Sequence, residues 1–278
     1  MKIIRDIPSL RDQVQHWRGA SQTVGLIPTM GSLHAGHLSL VRQAKLDCDF
    51  AIATIFVNPT QFAPSEDFDT YPRDEARDIA LLEDMGTDLL FSPNVDEMYA
   101  DGFSTSVSVS GLSECLCGAA RPHFFGGVAT VVSKLLLQSL PDRAYFGEKD
   151  FQQLQVIKRM ARDLDIPVDV RGVPTVREDD GLAMSSRNKY LSAEQRHVAS
   201  TLYRVLQDVA QQFADGANAD AALADGVATL RATGFDPIDY LEIRDSETFD
   251  ALQTNNGKAR VFGAAHLGET RLIDNIAV

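Results

Sequence analysis

The chain has 278 residues, of which 44% are hydrophobic and 23% are charged, an ordinary globular composition in a chain long enough to bury a core without covalent staples. Its 26 basic and 39 acidic residues give a net charge of -13, which disfavours general binding to nucleic acid. Three cysteines do not indicate a disulfide framework, and no apolar run suits a membrane helix or a signal peptide, so we predict a soluble, cytoplasmic protein.

The first two thirds of the chain alternate between strand-like and helix-like segments. The continuous apolar run FAIATIFV, for example, is typical of a strand buried on both faces of a parallel sheet. The predicted strands are 23–28, 50–57, 87–91, 143–146 and 167–173, and the predicted helices are 38–45, 73–85, 128–140 and 151–164. This alternation predicts an α/β domain with a doubly wound parallel sheet over residues 1–174.

The pattern changes after residue 174. Ser192, with Gln195 three residues later, predicts a capping box that begins a helix running to Ala214. A second helix is predicted over residues 217–232. Strand-like stretches follow at 240–244, 259–264 and 270–276. We therefore predict a smaller α+β C-terminal domain over residues 175–278, with ligands at the carboxyl ends of the parallel strands.

The run PTMGSLHAGHL begins where the first predicted strand ends. Gly31 permits a tight turn, and Gly36 leaves room for a ligand close to the backbone. His34 and His37 share one face at the start of a helix, beside free N–H groups and the positive end of the helix dipole. The pattern predicts phosphate binding and is similar to the HxGH signature of nucleotidylyltransferases. Two packing histidines are the alternative, and half of a metal site is disfavoured because no third ligand follows at metal spacing.

Two more segments follow predicted strands. In FVNPTQF, Asn58 and Gln61 offer amides to a small polar substrate, although an ordinary Asn-Pro turn is the alternative. In FGEKDFQQ, Lys149 offers a charge to a phosphate and Asp150 a possible helix cap, although a capped helix with a solvated lysine is the alternative.

The run REDDGLAMSSRN follows the domain boundary. Ser185, Ser186 and Arg187 place two hydroxyls and an arginine in sequence, a set that suits a triphosphate. The run resembles the mobile KMSKS-type loop of adenylate-forming enzymes. A polar interdomain linker is the alternative.

Together these four segments resemble the pantothenate synthetase family, in that family's order and approximate spacing over nearly the whole chain, and the closing RLIDN is similar to its C-terminal segment. The resemblance implies ATP-dependent ligation of pantoate and β-alanine through a pantoyl-adenylate, with AMP and pyrophosphate released and Mg²⁺ required. It also implies a Rossmann-like nucleotide- and pantoate-binding domain, a smaller domain with the MSSR loop at its start, and a homodimer.

The resemblance also implies roles for individual residues. The implied catalytic residues are His34, His37, Lys149, Ser185, Ser186 and Arg187. The implied nucleotide-binding residues are Pro28, Thr29, Met30, Gly31, His34, Gly36, His37, Phe146, Gly147, Lys149, Asp150, Val176, Met184, Ser185, Ser186 and Arg187. The implied substrate-binding residues are Met30, Asn58, Gln61, Tyr71, Arg121 and Gln153.

Within these sets, Gln61 and Gln153 are expected to hold the pantoate hydroxyls and carboxylate, and Tyr71 to line the region that admits β-alanine. Lys149 is expected to contact a phosphate of the nucleotide, and Asp150 is expected to contact the ribose. Asp78 falls where the family has a carboxylate near Mg²⁺, which makes it the implied metal residue.

One position departs from the family pattern. The family's histidine is replaced by Phe124, and His123 stands one position earlier, so a site role and an ordinary loop position are equal alternatives for His123. Arg121 keeps its place at the edge of the site. The segment 63–71, rich in Pro, Asp and Glu, lacks apolar periodicity directly after Gln61, and we predict that it gates the site.

The first chemical step needs no strong base, because the pantoate carboxylate is already ionised at neutral pH. The alternatives are an adenylyl-transferring enzyme for another acid, a nucleotide-binding regulator without chemistry, and an RNA-directed synthetase. FVNPTQF argues against the first, and the intact histidines, lysine and arginine argue against the second. An acidic chain without a visible anticodon-binding module argues against the third.

Overall fold

The computed structural model describes residues 1–64 and 66–278, which form two compact units. The first unit contains Met1–Ser113, Arg121–Glu148 and Gln152–Pro174. The second contains Glu114–Ala120, Lys149–Phe151 and Thr175–Val278. The second unit therefore takes two short segments from the first 174 residues.

The elements follow one another in this order. The strands are β1 (Lys2–Ile4), β2 (Val24–Ile27), β3 (Phe50–Thr54), β4 (Leu89–Phe91), β5 (Arg143–Gly147), β6 (Asp169–Val173), β7 (Ile238–Asp245), β8 (Ala259–Leu267) and β9 (Thr270–Ala277). The helices are α1 (Ile7–Gly19), α2 (Ala35–Asp47), α3 (Glu75–Asp84), α4 (Val95–Met98), α5 (Cys117–Ala120), α6 (Phe124–Ser139), α7 (Phe151–Asp163), α8 (Ala193–Ala199), α9 (Thr201–Ala214) and α10 (Ala219–Ala232). Short 3₁₀ turns are η1 (Pro59–Gln61), η2 (Glu148–Asp150) and η3 (Ser186–Tyr190).

The described part of the first unit contains a six-stranded parallel sheet in the order β1-β4-β3-β2-β5-β6. Strand β2 lies inside the sheet, and all four of its residues are buried. Its pairing with β3 runs from Val24–Phe50 to Ile27–Ala53. Because both strands end level with each other, the segments that follow them leave the same edge of the sheet, where ligands of α/β folds bind.

In the second unit, β7, β8 and β9 form an antiparallel sheet in that order. Helices α9 and α10 contribute Leu206, Phe213 and Leu230 to one buried cluster with Val261 of β8. The predicted fold, a doubly wound parallel sheet with a smaller α+β C-terminal unit, is therefore confirmed. In residues 1–64 and 66–278, no helix combines the length and apolar character that crossing a bilayer requires.

Several predicted elements differ in extent from those observed, and two of the differences change how the chain is divided. The strand predicted over 50–57 ends at Thr54, and η1 follows at Pro59–Gln61. The helix predicted from Ser192 to Ala214 is interrupted at Ser200, which is the C-cap of α8 and the N-cap of α9. The predicted capping box between Ser192 and Gln195 is confirmed.

Helix α1 was not among the predicted elements. Its N-cap, Asp6, accepts the Ser9 N–H at 2.8 Å, and its buried residues are Leu10, Val14 and Trp17. These three residues recur at i, i+4 and i+7, so the helical signal is present in the sequence.

Candidate active site

The first site segment leaves β2 at Pro28 and enters α2 at Ala35. His34 is the N-cap of this helix: its Nδ1 accepts the Gly36 N–H at 3.2 Å, and its own N–H donates to His37 Nδ1 at 3.4 Å. The two ring centroids lie 4.1 Å apart. The predicted placement of both imidazoles together at a helix N-terminus is confirmed.

This arrangement fixes the chemistry of both rings. A neutral imidazole whose Nδ1 accepts a hydrogen bond carries its proton on Nε2. His34 and His37 are both half-buried and stand at the end of α2 where the helix dipole is positive. Two Nε2–H donors beside a helix N-terminus suit an anionic phosphate group.

The turn that leads to these histidines has a strained backbone, which is held by two hydrogen bonds to Asp78. Gly31 and Ser32 have positive φ values of 81° and 51°. The Ser32 N–H donates to Asp78 Oδ2 at 2.7 Å, and the Leu33 N–H donates to Asp78 Oδ1 at 2.8 Å. A hydrogen bond to a charged group contributes about 1.5–3 kcal/mol. Two such bonds offset the roughly 1–3 kcal/mol that a left-handed non-glycine residue costs.

Asp78 is the residue for which a magnesium role was predicted. Its side chain is 1% exposed, and both of its oxygens accept backbone N–H groups inside the fold. In nucleotide sites, Mg²⁺ is held by carboxylates that face the phosphates, and it retains several water ligands. The enclosed carboxylate of Asp78 does not fit such a site. Among the residues that the structure describes, no group of three or more His, Cys, Asp or Glu side chains is placed to hold a metal ion.

The start of the same turn is fixed by two threonines. Thr29 Oγ1 donates to the Thr54 carbonyl at 2.6 Å and accepts the Gly31 N–H at 3.1 Å. The Thr29 N–H donates to Thr54 Oγ1 at 3.2 Å. Pro28, Thr29 and Gly31, which were predicted to bind nucleotide, therefore form the backbone of the turn, and Thr54 supports them without having been predicted.

The second site segment brings together three of the predicted substrate residues. Asn58 Nδ2 donates to Gln61 Oε1 at 3.1 Å, and Gln61 Nε2 donates to Met30 Sδ at 3.3 Å. Gln61 is 8% exposed and Asn58 only 1%. Asn58 thus lies behind Gln61 and holds its amide.

Asn58 is itself saturated by protein groups. Its Nδ2 also donates to the Gly127 carbonyl at 3.2 Å, and its Oδ1 accepts from the Tyr99 hydroxyl at 2.7 Å and the Thr60 hydroxyl at 3.0 Å. Burial raises the pKa of Tyr99, which keeps its hydroxyl a donor. Tyr99 was not predicted, because nothing in its local sequence distinguishes it from a core aromatic residue.

Gly127 of α6 permits this close packing. A Cβ at Gly127 would lie 2.5 Å from the Thr60 carbonyl oxygen and 2.7 Å from Gln61 Cα. Contacts this short do not occur, so only glycine lets α6 approach η1 closely.

Arg121 lies beside the same segment. Its guanidinium donates to both oxygens of Glu66 at 2.6 Å each and to the Gln61 carbonyl at 3.3 Å. It also stacks on the ring of Phe124, with 3.9 Å between Cζ and the ring centroid. The residue at the family's histidine position therefore packs on Arg121. His123 is exposed at the start of α6 and makes no side-chain cap hydrogen bond.

The remaining predicted substrate residues are placed as follows. Tyr71 is 6% exposed and packs edge-on against Phe62, with 5.9 Å between ring centroids. Gln153 is half-buried in the first turn of α7. The predicted gate, 63–71, includes Ser65, which lies outside the described residues.

In the second unit, Lys149 is held by its backbone. Its carbonyl accepts from Asn275 Nδ2 at 2.9 Å, and Arg260 donates to the Asn275 side-chain oxygen. The Lys149 Nζ lies 3.7 Å from Asp150 Oδ2. The lysine side chain is only 19% exposed, in contrast to the solvated lysine of the alternative interpretation.

The MSSR run follows a β-hairpin of the second unit. The Met184 N–H donates to the Val176 carbonyl at 3.0 Å, and the chain reverses at Gly181, whose φ is 94°. Ser185 then caps η3 by accepting the Arg187 N–H at 3.3 Å. Ser186, the next residue, is 7% exposed.

Side chains from distant parts of the sequence fix this hairpin. Arg177 pairs with both oxygens of the buried Asp274 at 2.6 and 2.9 Å and stacks 3.7 Å from the ring centroid of Tyr203. Arg196 bonds Asp180 at 2.5 Å. The closing RLIDN run therefore has a structural role: its last two residues hold the hairpin and Lys149.

Known proteins are similar to this chain over nearly its full length. A family model described as pantoate-beta-alanine ligase matches residues 2–277. The pantothenate synthetase of Paramagnetospirillum magneticum is 56% identical over 99% of this chain and 97% of its own length. That of Caulobacter vibrioides is 56% identical over 99% of this chain and 98% of its own length.

Solved structures agree with the fold throughout the chain. Pantothenate synthetase from Thermus thermophilus superposes with a TM-score of 0.94 at 49% identity, covering 100% of this chain and 99% of the other. Pantoate-beta-alanine ligase from Francisella tularensis, crystallised with beta-gamma ATP and beta-alanine, gives a TM-score of 0.84 at 34% identity, covering 100% and 97%.

Proposed function

The chain belongs to the pantoate–β-alanine ligase family, and we propose that His34 and His37 carry the adenylation step of the family's reaction. That reaction is the ATP-dependent ligation of pantoate and β-alanine to pantothenate through a pantoyl-adenylate, with release of AMP and pyrophosphate. The chain is thus an AMP-forming carboxylate–amine ligase.

One observation carries the proposal for the first step. The imidazoles of His34 and His37 stand 4.1 Å apart at the N-terminus of α2, and each accepts a backbone N–H at Nδ1. Their Nε2–H groups then stabilise the charge that builds on the β- and γ-phosphates as pyrophosphate leaves. The ionised pantoate carboxylate attacks the α-phosphorus in line, so positioning and charge stabilisation supply most of the catalysis.

We propose that Gln61 binds pantoate through its amide, with Gln153 as the second amide and Met30 beside the reacting groups. The 3.1 Å contact from Asn58 fixes the orientation of the Gln61 amide and supports this assignment. Asn58 contributes by holding Gln61, since its own amide is occupied by protein groups.

Two residues are proposed to border the pantoate pocket. Arg121 stands at its edge, and Tyr71 lines the approach of β-alanine. The bonds from Arg121 to Glu66 at 2.6 Å support a gate over 63–71 that opens when this ion pair separates. Slower proteolysis of that segment with ATP and pantoate is the expected result, and equal proteolysis would contradict it.

In the second unit, we propose that Lys149 contacts phosphate and Asp150 the ribose of ATP. Ser185, Ser186 and Arg187 bind the triphosphate, and Arg187 neutralises charge on the transferring group. The remaining proposed nucleotide-binding positions are Phe146, Gly147, Val176 and Met184.

We further propose that ATP enters as its Mg²⁺ complex, with the phosphates supplying the metal's oxygen ligands. Residues 1–174 are proposed as the nucleotide- and pantoate-binding domain, and residues 175–278 as the smaller domain. The acidic net charge of -13 supports small anionic substrates in local sites rather than nucleic acid. The chain has three cysteines, an odd number that does not indicate a disulfide framework, which supports a reducing, cytoplasmic location; a homodimer is proposed from the family resemblance.

The test of this proposal compares His34→Ala and His37→Ala with His16→Ala, which removes an exposed histidine on α1. Pantoate-dependent exchange of pyrophosphate into ATP is measured for each. We expect kcat to fall by about 10²- to 10³-fold in the two site variants, as on loss of one transition-state donor. Exchange at the His16→Ala rate in either site variant would contradict the proposal.

A further inference from the structure

The carboxylate of Asp78 is enclosed by the turn that precedes the histidines. It lies in the first turn of α3 and is 1% exposed. Its two oxygens accept the N–H groups of Ser32 and Leu33 at 2.7 and 2.8 Å. A Cβ on Gly31 would come within 3.0 Å of Oδ2, so the turn backbone closes tightly around this carboxylate.

The bonding pattern requires an acceptor at both oxygens. An ionised Asp side chain only accepts, whereas an Asn side chain turns one of the two positions into a donor. An Asn at position 78 would therefore leave either the Ser32 N–H or the Leu33 N–H facing an NH₂ group in a buried site. The match between two adjacent N–H donors and one carboxylate is specific to Asp.

Helix α3 also makes a hydrogen bond to a backbone carbonyl of the turn. The exposed Arg77 donates from Nη1 to the Leu33 carbonyl at 3.2 Å. Leu33 itself is 1% exposed and shares a buried cluster with Leu82 of α3. Both peptide groups that flank Leu33 are thus fixed by neighbouring residues of α3, and His34 is the next residue along the chain.

We propose that Asp78 is a positioning residue, which holds the turn from Gly31 to Leu33 so that His34 and His37 are presented to the ATP phosphates, and that it is not a magnesium ligand. The proposal rests on the proposed function of the two histidines. It assigns the carboxylate two hydrogen bonds to the protein backbone, whereas a magnesium ligand acts only when the metal is bound.

The first test separates positioning from metal binding. Asp78→Asn is compared with Asp84→Asn, which neutralises an exposed carboxylate at the other end of α3. In pantoate-dependent pyrophosphate exchange, we expect Asp78→Asn to lower kcat by up to about 10²-fold, the effect of misplacing reacting groups by ~1 Å. The Mg²⁺ concentration for half-maximal exchange stays unchanged, and excess Mg²⁺ does not restore the rate. A rise of about 10- to 100-fold in that concentration, with recovery in excess Mg²⁺, would overturn the proposal.

A second readout distinguishes an effect through the histidines from general loosening of the fold. If Asp78 acts by placing His37, the double variant Asp78→Asn, His37→Ala loses little more kcat than His37→Ala alone. Losses that multiply would overturn the proposal. A rate unchanged by His37→Ala would instead overturn the proposed function, whatever the magnesium titration of Asp78→Asn shows.

Arg77→Met serves as the variant that retains the buried carboxylate. It removes only the bond to the Leu33 carbonyl from an exposed side chain, so the fold is retained. We expect a several-fold loss of exchange without change in magnesium dependence. If Asp78→Asn does not fold, wild-type exchange by Arg77→Met overturns the proposal.

Discussion

Substitution of Gly127 by alanine tests the packing that supports the proposed pantoate pocket. The added Cβ would lie 2.5, 2.6 and 2.7 Å from the Thr60 carbonyl oxygen, the Thr60 carbonyl carbon and Gln61 Cα, where ordinary contacts are 3.4–4 Å. Because all three are backbone atoms, no side-chain rotation relieves the overlap, and η1 and α6 must separate by roughly 1 Å. Overpacking of this kind costs about 1–3 kcal/mol.

The same separation moves Gln61. A displacement of ~1 Å in a positioning group lowers catalysis by as much as ~10²-fold. We therefore expect Gly127→Ala to lower kcat/KM for pantoate by about 10- to 100-fold, while KM for ATP changes little. The assays are urea unfolding for stability and pyrophosphate exchange at varied pantoate and ATP.

Gly126→Ala is the matched control, one residue away on the same helix. No atom lies within 4 Å of the Cβ that it adds. Replacing a helical glycine by alanine contributes up to about 1 kcal/mol of stability, so the two neighbouring variants should shift the urea midpoint in opposite directions. Equal stability and equal kcat/KM for pantoate in both variants would refute the steric reasoning.

Three further predictions concern other contacts. Tyr99→Phe removes the 2.7 Å hydrogen bond to Asn58 and should lower the free energy of unfolding by about 1 kcal/mol. It should also raise KM for pantoate several-fold. An unchanged KM would contradict the inference that Tyr99 supports the proposed pantoate pocket through Asn58. Lys149→Ala should lower exchange kcat by ~10²- to 10³-fold with little change in the urea midpoint, and wild-type kcat would remove the lysine from the mechanism. The hydrogen bond from Arg196 holds the pKa of Asp180 below its usual value. The stability that this bond provides is therefore fully present above the unfolded pKa of ~3.9, and it is lost as the pH falls through the lowered pKa of the folded state. The difference in urea midpoint between wild type and Arg196→Met should therefore shrink below pH ~3.9, and a constant difference would exclude this titration.

Features encoded by neighbouring residues could be predicted from the sequence. The apolar runs that form β2 and β3, the capping box at Ser192 and the histidine pair at the start of α2 all depend on residues within four positions of each other. The predicted end of β3 was too late, because Ile55 to Val57 are as apolar as a strand but lie beyond Thr54, the last residue of β3 that pairs with β4.

The supports of the site depend on contacts that no local pattern encodes. Asp78 bonds Ser32 across 46 positions, and Arg177 bonds Asp274 across 97. Sequence spacing gives no information on such pairs until the strand order is known. For this reason the residues expected at the phosphates and at pantoate could be named, while Tyr99 and the clamping role of Asp78 could not.

The most direct test of the central claim is exchange of labelled pyrophosphate into ATP with Mg²⁺, with and without pantoate and in the absence of β-alanine. The account predicts exchange that requires pantoate, because the acid must form an adenylate before the amine is used. Absence of exchange from folded protein, or exchange that does not depend on pantoate, would contradict it.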